Sequence, residues 1–171
     1  PVRTMAEWEE VESLVIVWSD FPGILKQIVR HALPQCRVII VCSNQSEVEE
    51  FLSGPAYGGA IAEQSGITYL NAEFNSIWAR DYLAESIYTN EVDSLLLLDW
   101  IYNRPRPDDD VLSDAIGSAE GISVIGTTAA PYDLVHTGGN FMCDGAGTAF
   151  SSELVLDENG AQGDFNQSVR D

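Results

Sequence analysis

ESLVIVWSDFPGILKQIVRHALPQCRVIIVC, residues 12–42, reads as strand, helix, strand. Leu14-Val15-Ile16-Val17 is a continuous apolar, β-branched run inside residues 12–19, the pattern of a buried strand. Asp20 is placed to cap the next helix, and Pro22 suits its first turn. Ile24, Leu25, Ile28, Val29, Ala32 and Leu33 then share one apolar stripe, and Pro34 stops the helix. Residues 37–42 return to an unbroken Val/Ile strand.

The alternation continues outward. Residues 46–52 predict a short helix with Val48, Phe51 and Leu52 inward, and residues 54–59 a turn-rich loop. Strands are expected at 67–70, 85–89 and 94–100, the last two joined by a hairpin turn over Asn90-Glu91-Val92-Asp93. Asp110 can cap a further helix whose inward stripe is Val111, Leu112, Ala115, Ile116 and Ala119, closed by Gly121; its spacing repeats that of the stripe beginning at Ile24. A strand at 122–125 comes next, then strand-like pieces at 138–143, 148–151 and 154–156 separated by Gly-rich turns, and a polar tail. Recurring helices and paired strands indicate a repeated α/β architecture. No Gly-x-Gly-x-x-Gly follows a strand, which argues against a dinucleotide fold.

Composition narrows the function classes. Eight Lys and Arg against 27 Asp and Glu give a formal charge of −19 in 171 residues. Such a surface repels nucleic acid and anionic membranes and attracts cations, although solubility alone also explains it. No apolar run has the length of a membrane span. Cys36, Cys42 and Cys143 are too few and too scattered for a disulfide framework, and with only His31 and His136 beside them no zinc-type cluster forms. Neither a metal nor a cofactor is expected. Free Cys36 and Cys42 fit a reducing interior.

Two constellations carry chemistry. Trp78-Ala79-Arg80-Asp81-Tyr82 gathers an indole, a guanidinium and a carboxylate within five residues. With Trp78 and Asp81 facing one pocket, the indole would stack on a planar cation and the carboxylate would accept a bidentate pair of N–H bonds. The plainer reading packs Trp78 and pairs Arg80 locally with Asp81. Arg104-Pro105-Arg106-Pro107 is the second. Alternating Pro favours an extended backbone that would present Arg104 and Arg106 stiffly, suited to gripping a carboxylate. The plainer reading pairs them with Asp108, Asp109 and Asp110 on the surface.

The Trp78–Tyr82 segment resembles the Trp-x-Arg-Asp-Tyr signature of the agmatine deiminase and bacterial peptidylarginine deiminase family. Ala6-Glu7-Trp8-Glu9 is similar to that family's entry into its first strand. Thr137-Gly138-Gly139-Asn140-Phe141-Met142-Cys143-Asp144-Gly145 resembles its Gly-Gly-Asn segment, and Leu154-Val155-Leu156-Asp157-Glu158-Asn159 the strand after it. Arg104-Pro105-Arg106-Pro107 points to the peptidylarginine branch. These segments cover nearly the whole chain in the family's order.

The resemblance implies a pentein, a propeller of five αββαβ modules around a central active site, with residues 1–171 as the N-terminal part of one catalytic domain, about two to three modules. It implies that Trp78 packs on the substrate guanidinium, that Asp81 is the first of two aspartates clamping its nitrogens, and that Arg104 and Arg106 hold the substrate carboxylate. The implied chemistry converts peptidyl-arginine to peptidyl-citrulline. A cysteine thiolate attacks the guanidinium carbon, ammonia leaves after protonation by a histidine, and water releases citrulline from the thiouronium. The family's His-x-Asp segment and nucleophilic Cys match nothing in this sequence, so of its four catalytic residues the chain carries Asp81. Agmatine deiminase, acting on a substrate with no carboxylate, and a non-catalytic half-pentein that binds through the same residues are the alternatives. The implied partner is an arginine-containing peptide or small guanidinium compound, and an incomplete propeller would expose apolar edges prone to self-association into a homo-oligomer. Members of the peptidylarginine branch can be secreted.

Three positions need separate readings. Leu83 stands where the family has Gly, so a positive φ there would strain it. Cys143 lies at a position the family does not use for catalysis and reads as a small half-buried residue. His136 reads as a structural histidine with its hydrogen bonds satisfied.

Overall fold

The computed structural model describes residues 2–89 and 94–160. The chain runs β1 (Val2–Thr4), β2 (Ser13–Val17), α1 (Pro22–Ala32), β3 (Arg37–Cys42), α2 (Gln45–Ser53), β4 (Ile67–Asn71) and α3 (Ala79–Tyr82). It continues with β5 (Glu85–Thr89), β6 (Ser94–Tyr102), α4 (Pro107–Asp110), α5 (Leu112–Glu120), β7 (Val124–Thr127) and β8 (Val135–His136). A 3₁₀ turn (Gly138–Asn140), β9 (Met142–Cys143), β10 (Ala149–Phe150) and α6 (Leu154–Glu158) complete it. This is an α/β chain, as the sequence predicts. It divides into two compact units, Glu10–Ala79 and the remainder.

In the unit of residues 10–79, β2, β3 and β4 form a parallel sheet in register Leu14↔Val38 and Val38↔Ile67. Central β3 is buried from Val38 to Cys42, which explains its unbroken apolar sequence. Leu25 and Val29 of α1 and Val48 and Leu52 of α2 pack with Ile16, Val38 and Ile40 into one core. The expected α1 stripe is corrected here: Ile24 is 62% and Ile28 37% exposed, while Lys26 is fully buried. The α1 sequence is apolar around more than one face, and Lys26 selects the inner one. Its ammonium donates to Phe51 O at 2.9 Å and Gly54 O at 2.8 Å, carbonyls at the α2 C-terminus, the first of which also accepts the cap bond from Gly54 N at 3.3 Å. Nor does Asp20 cap α1. Phe21 takes that position at φ 60° without a side-chain hydrogen bond, and Pro22 opens the helix as expected. Asn44 caps α2, its Oδ1 accepting from Glu47 N and its Nδ2 donating to Glu47 Oε1 at 2.7 Å.

In the other unit, β1, β5, β6 and β7 make a mixed sheet, with β8 pairing in parallel to the end of β6. β1 has only three residues and no apolar pattern, so the sequence does not predict it. β5 and β6 pair antiparallel up to Thr89↔Ser94; the hairpin turn expected at 90–93 lies outside the described residues. α5 buries Leu112, Ser113, Ile116 and Gly117, whereas Val111 and Ala119 face outward. Ala115 is half-buried, and Gly117 joins the inner face where a Cβ would strike Val124 Cγ2 and Ile122 O. Gly121 closes α5 at φ 68°, as expected. Asp110 does not cap that helix: its Oδ1 accepts from Tyr102 N at 2.7 Å.

The pieces after residue 137 also differ from expectation. Gly138–Asn140 is a 3₁₀ turn, β9 and β10 form a hairpin of two-residue strands, and 154–156 belongs to helix α6 rather than a strand. Ser152 and Glu153 start that helix, the Ser152 hydroxyl accepting from Leu154 N at 3.4 Å and Glu153 O from Asp157 N at 3.1 Å. An apolar run of three residues is compatible with either element.

Candidate functional site

The Trp78–Tyr82 motif leads into the short α3. Tyr82 anchors it: the side chain is 1% exposed and packs edge-on against Tyr102 with ring centroids 5.6 Å apart. Burial pushes the Tyr82 phenol well above its ordinary range, so it remains a neutral packing group. Leu83 adopts a negative φ, so no strain arises where the family has Gly. Trp78, near the end of the 10–79 unit, is 57% exposed, against the reading that buries it as packing. Its neighbour Ile77 packs against the core of that unit.

Arg80 and Asp81 do not pair with each other. The Arg80 guanidinium is in contact with the Glu7 carboxylate and also reaches Phe141 O at 3.4 Å. Glu85 lies near the same group, its carboxyl pushed up by burial and held down by Arg80. Arg80 is thus engaged by residues 61 and 73 positions away, and Asp81 is left half-buried with no hydrogen-bond partner among the described residues.

The Gly-Gly pair explains how Asp81 is housed. A Cβ on Gly139 would overlap Asp81 Oδ1, and a Cβ on Gly138 would overlap Arg80 O and stand 3.2 Å from Trp100 Cζ2. Two side-chain-free residues let the 138–140 turn lie directly on α3. The sequence marks this segment, but its mechanical reason is visible only in the packing.

The Arg104–Arg106 segment is not extended. Arg106 N donates to Arg104 O at 2.8 Å, folding the backbone into a tight turn over Pro105, and Pro107 opens α4. Pro fixes φ but leaves ψ open, and the α4 amides of Asp109 and Asp110, both donating to Arg106 O at 3.2 Å, select the turn. Arg104 is exposed, donates to Asn103 O at 3.3 Å and pairs with none of the three aspartates after it. Arg106 is half-buried, its guanidinium donating to Tyr102 Oη at 3.2 Å.

Cys143 is half-buried as expected, its thiol donating to Met5 O at 2.9 Å. His136 departs from expectation. It is 6% exposed and packs edge-on against Trp100 at 5.2 Å and Phe141 at 6.3 Å, yet its Nδ1 has no partner among the described residues. Burial holds the imidazole toward its neutral form, and the Glu158 carboxylate opposes this. Nothing local in the sequence singles out Glu7, Tyr102 or Glu158. Glu7 and Glu158 are marked by partners distant along the chain, Arg80 and Asn103, and Tyr102 by its packing on Tyr82 and its contact with Arg106.

An α/β chain that houses one half-buried carboxylate under a Gly-Gly turn, with a two-arginine turn in the same unit, fits the class of guanidinium-modifying enzymes. The model of the Porphyromonas-type peptidyl-arginine deiminase family matches residues 3–168, and the chain belongs to that family. Solved structures share its fold. An agmatine deiminase from C. jejuni superposes with a TM-score of 0.74 at 21% identity, over 98% of this chain and 50% of that one. A Porphyromonas gingivalis protein assigned as an arginine deiminase gives a TM-score of 0.78 at 17% identity, over 96% and 52%. A variant of the C. jejuni agmatine deiminase with substrate bound gives 0.75 at 18% identity, over 99% and 52%. The chain therefore spans about half the length of the solved structures it matches.

Proposed function

We propose that the full-length protein is a deiminase that converts peptidyl-arginine to peptidyl-citrulline and ammonia, and that this chain supplies the substrate-binding half. In this reading its two units are modules of one pentein domain. Asp81 accepts the guanidinium N–H groups, Trp78 stacks on the guanidinium plane, and Arg104 and Arg106 hold the substrate carboxylate. The Cys nucleophile, the His-x-Asp pair and the rest of the propeller come from the remaining length of the family's chain.

One observation carries the reading. Asp81 is half-buried in a protein of charge −19, and its neighbour Arg80 is turned away to Glu7. A carboxylate in such a position, without a described partner, is suited to a cationic ligand that brings its own donors. Bound bidentately, the guanidinium is held planar and oriented for attack at its carbon. The Arg104–Arg106 turn favours a substrate with a free carboxylate, and agmatine has none.

The test is citrulline and ammonia release by the full-length protein from a peptide ending in arginine, with Asp81→Asn expected to abolish both. Turnover of agmatine with the peptide untouched would move the protein to the agmatine branch. An Asp81→Asn enzyme as active as the wild type would remove Asp81 from the site.

A further inference from the structure

We infer that Glu158 is a positioning residue for the Arg104–Arg106 turn, acting through Asn103, and so sets the preference for substrates with a free carboxylate. The inference rests on the reading of Arg104 and Arg106 as a carboxylate grip.

Asn103 leads into the turn and ties it to the neighbouring elements. Its main-chain N donates to His136 O at 3.3 Å, and its carbonyl accepts from the Arg104 guanidinium at 3.3 Å. Its side-chain amide donates to Glu158 Oε1 at 2.7 Å. One residue thus joins the end of β6, the strand β8 and the first arginine of the turn. Among the described residues its side-chain amide has one acceptor.

That acceptor is held in place. Glu158 ends α6, and the next residue fastens the helix to β8: Asn159 Oδ1 accepts from Val135 N at 2.8 Å, while its Nδ2 donates to Val135 O at 2.8 Å and Val155 O at 2.7 Å. Asn159 therefore fixes the height of Glu158 on the strand that Asn103 also touches.

A second observation sets Glu158 apart from a surface carboxylate. Its Oε2 is buried with no partner among the described residues, and so is Nδ1 of His136, the imidazole on which its charge acts. Among the described residues the rings that pack on His136 are those of Trp100 and Phe141, which carry no charge. Two buried unsatisfied polar atoms are a standing cost to the fold, and such groups persist where they hold a geometry in use. A helix end whose only role was to cover β8 would do so more stably with an apolar side chain.

The experiment uses the full-length protein with Glu158→Ala, Glu158→Gln and Asn103→Ala. Two readouts are taken. Amide hydrogen exchange at Arg106, Asp109 and Asp110 reports the turn, with the β6 interior as internal control. KM and kcat on two peptides, one ending in free arginine and one in the amidated residue, report the grip. In Glu158→Ala and Asn103→Ala the turn amides are expected to exchange about tenfold faster. KM for the free-carboxylate peptide rises about tenfold, kcat stays within about twofold, and the amidated peptide is unaffected. Glu158→Gln still offers Asn103 an acceptor and restores both readouts. Unchanged exchange in Glu158→Ala overturns the inference whatever the substrate. Faster exchange with the peptide preference intact, or an equal loss on both peptides, overturns the specificity role. A wild-type enzyme that does not distinguish the peptides refutes the carboxylate grip itself, and it is seen before any variant is made.

Discussion

Gly139 occupies the space that a β-carbon would share with Asp81 Oδ1. The two residues are far apart in the chain, and neither position makes sense alone. The carboxylate can sit where it does only because the turn passing over it has no side chain.

Gly139→Ala should therefore act on chemistry more than on folding. Asp81 is short, and its carboxylate must rotate away from the new methyl. A displacement of about 1 Å at an orienting group lowers kcat/KM on the order of a hundredfold. Gly138→Ala meets backbone, Arg80 O, and the Trp100 ring, and should instead destabilise by about 1–3 kcal/mol. Steady-state kinetics and denaturant unfolding of the two full-length variants would show this reversal; equal stability losses would contradict it.

Trp78 is 57% exposed, so Trp78→Ala should leave unfolding within about 0.5 kcal/mol of wild type. Loss of its stacking surface should still raise KM for a guanidinium substrate about tenfold. A stability loss comparable to a core deletion would show that the indole is packing after all.

The two arginines should separate in stability and agree in binding. Arg104 donates only to Asn103 O among the described residues, so Arg104→Ala is expected to be nearly neutral. Arg106→Ala removes the donor to Tyr102 Oη and should cost about 1 kcal/mol. Each should weaken binding of a peptide with a free C-terminal carboxylate on the order of tenfold and leave the amidated peptide unchanged. Isothermal titration with both peptides decides it, and equal weakening of the amide would argue against a carboxylate contact.

Asp99 supplies a pH signature. Its carboxyl is pushed up to about 6, first by burial and further by Asp110 and Asp114, while the Ser113 hydroxyl and Trp100 amide hold it down. In the unfolded chain the proton leaves near pH ~4. Between these values the native state binds more protons, so this group's contribution to stability falls as pH rises and the penalty is complete above about pH 6. Asp99→Asn should stabilise the protein by about 2 kcal/mol near pH 7.5 and by little near pH 3.5. Denaturant unfolding across that range checks the sign; a difference independent of pH would show that Asp99 does not titrate in the fold.

Local pattern makes much of the fold legible. Arg37–Cys42 and Glu85–Thr89 match their predicted limits, and Gly121 ends α5 where its freedom to take a positive φ suggests. Elsewhere local pattern misleads. Apolar spacing predicts the α1 stripe, but Lys26 faces inward, where its ammonium donates to two carbonyls at the end of α2. Leu154–Leu156 has the composition of a strand, yet three apolar residues carry no period, and the hydrogen bonds to Ser152 and Glu153 make a helix.

The sequence by itself determined the α/β alternation, the family, and the four residues Trp78, Asp81, Arg104 and Arg106 as the place to look. A strand or helix signal is carried by neighbours a few positions apart, so it survives in the linear order of residues. Only the tertiary structure decided that Arg80 turns to Glu7 and not to Asp81, that Gly139 makes room for the Asp81 carboxylate, and that Asn103 donates to Glu158. Each of these is a contact between residues remote in the chain. Which charge finds which partner is fixed by packing between elements, and no local spacing encodes it.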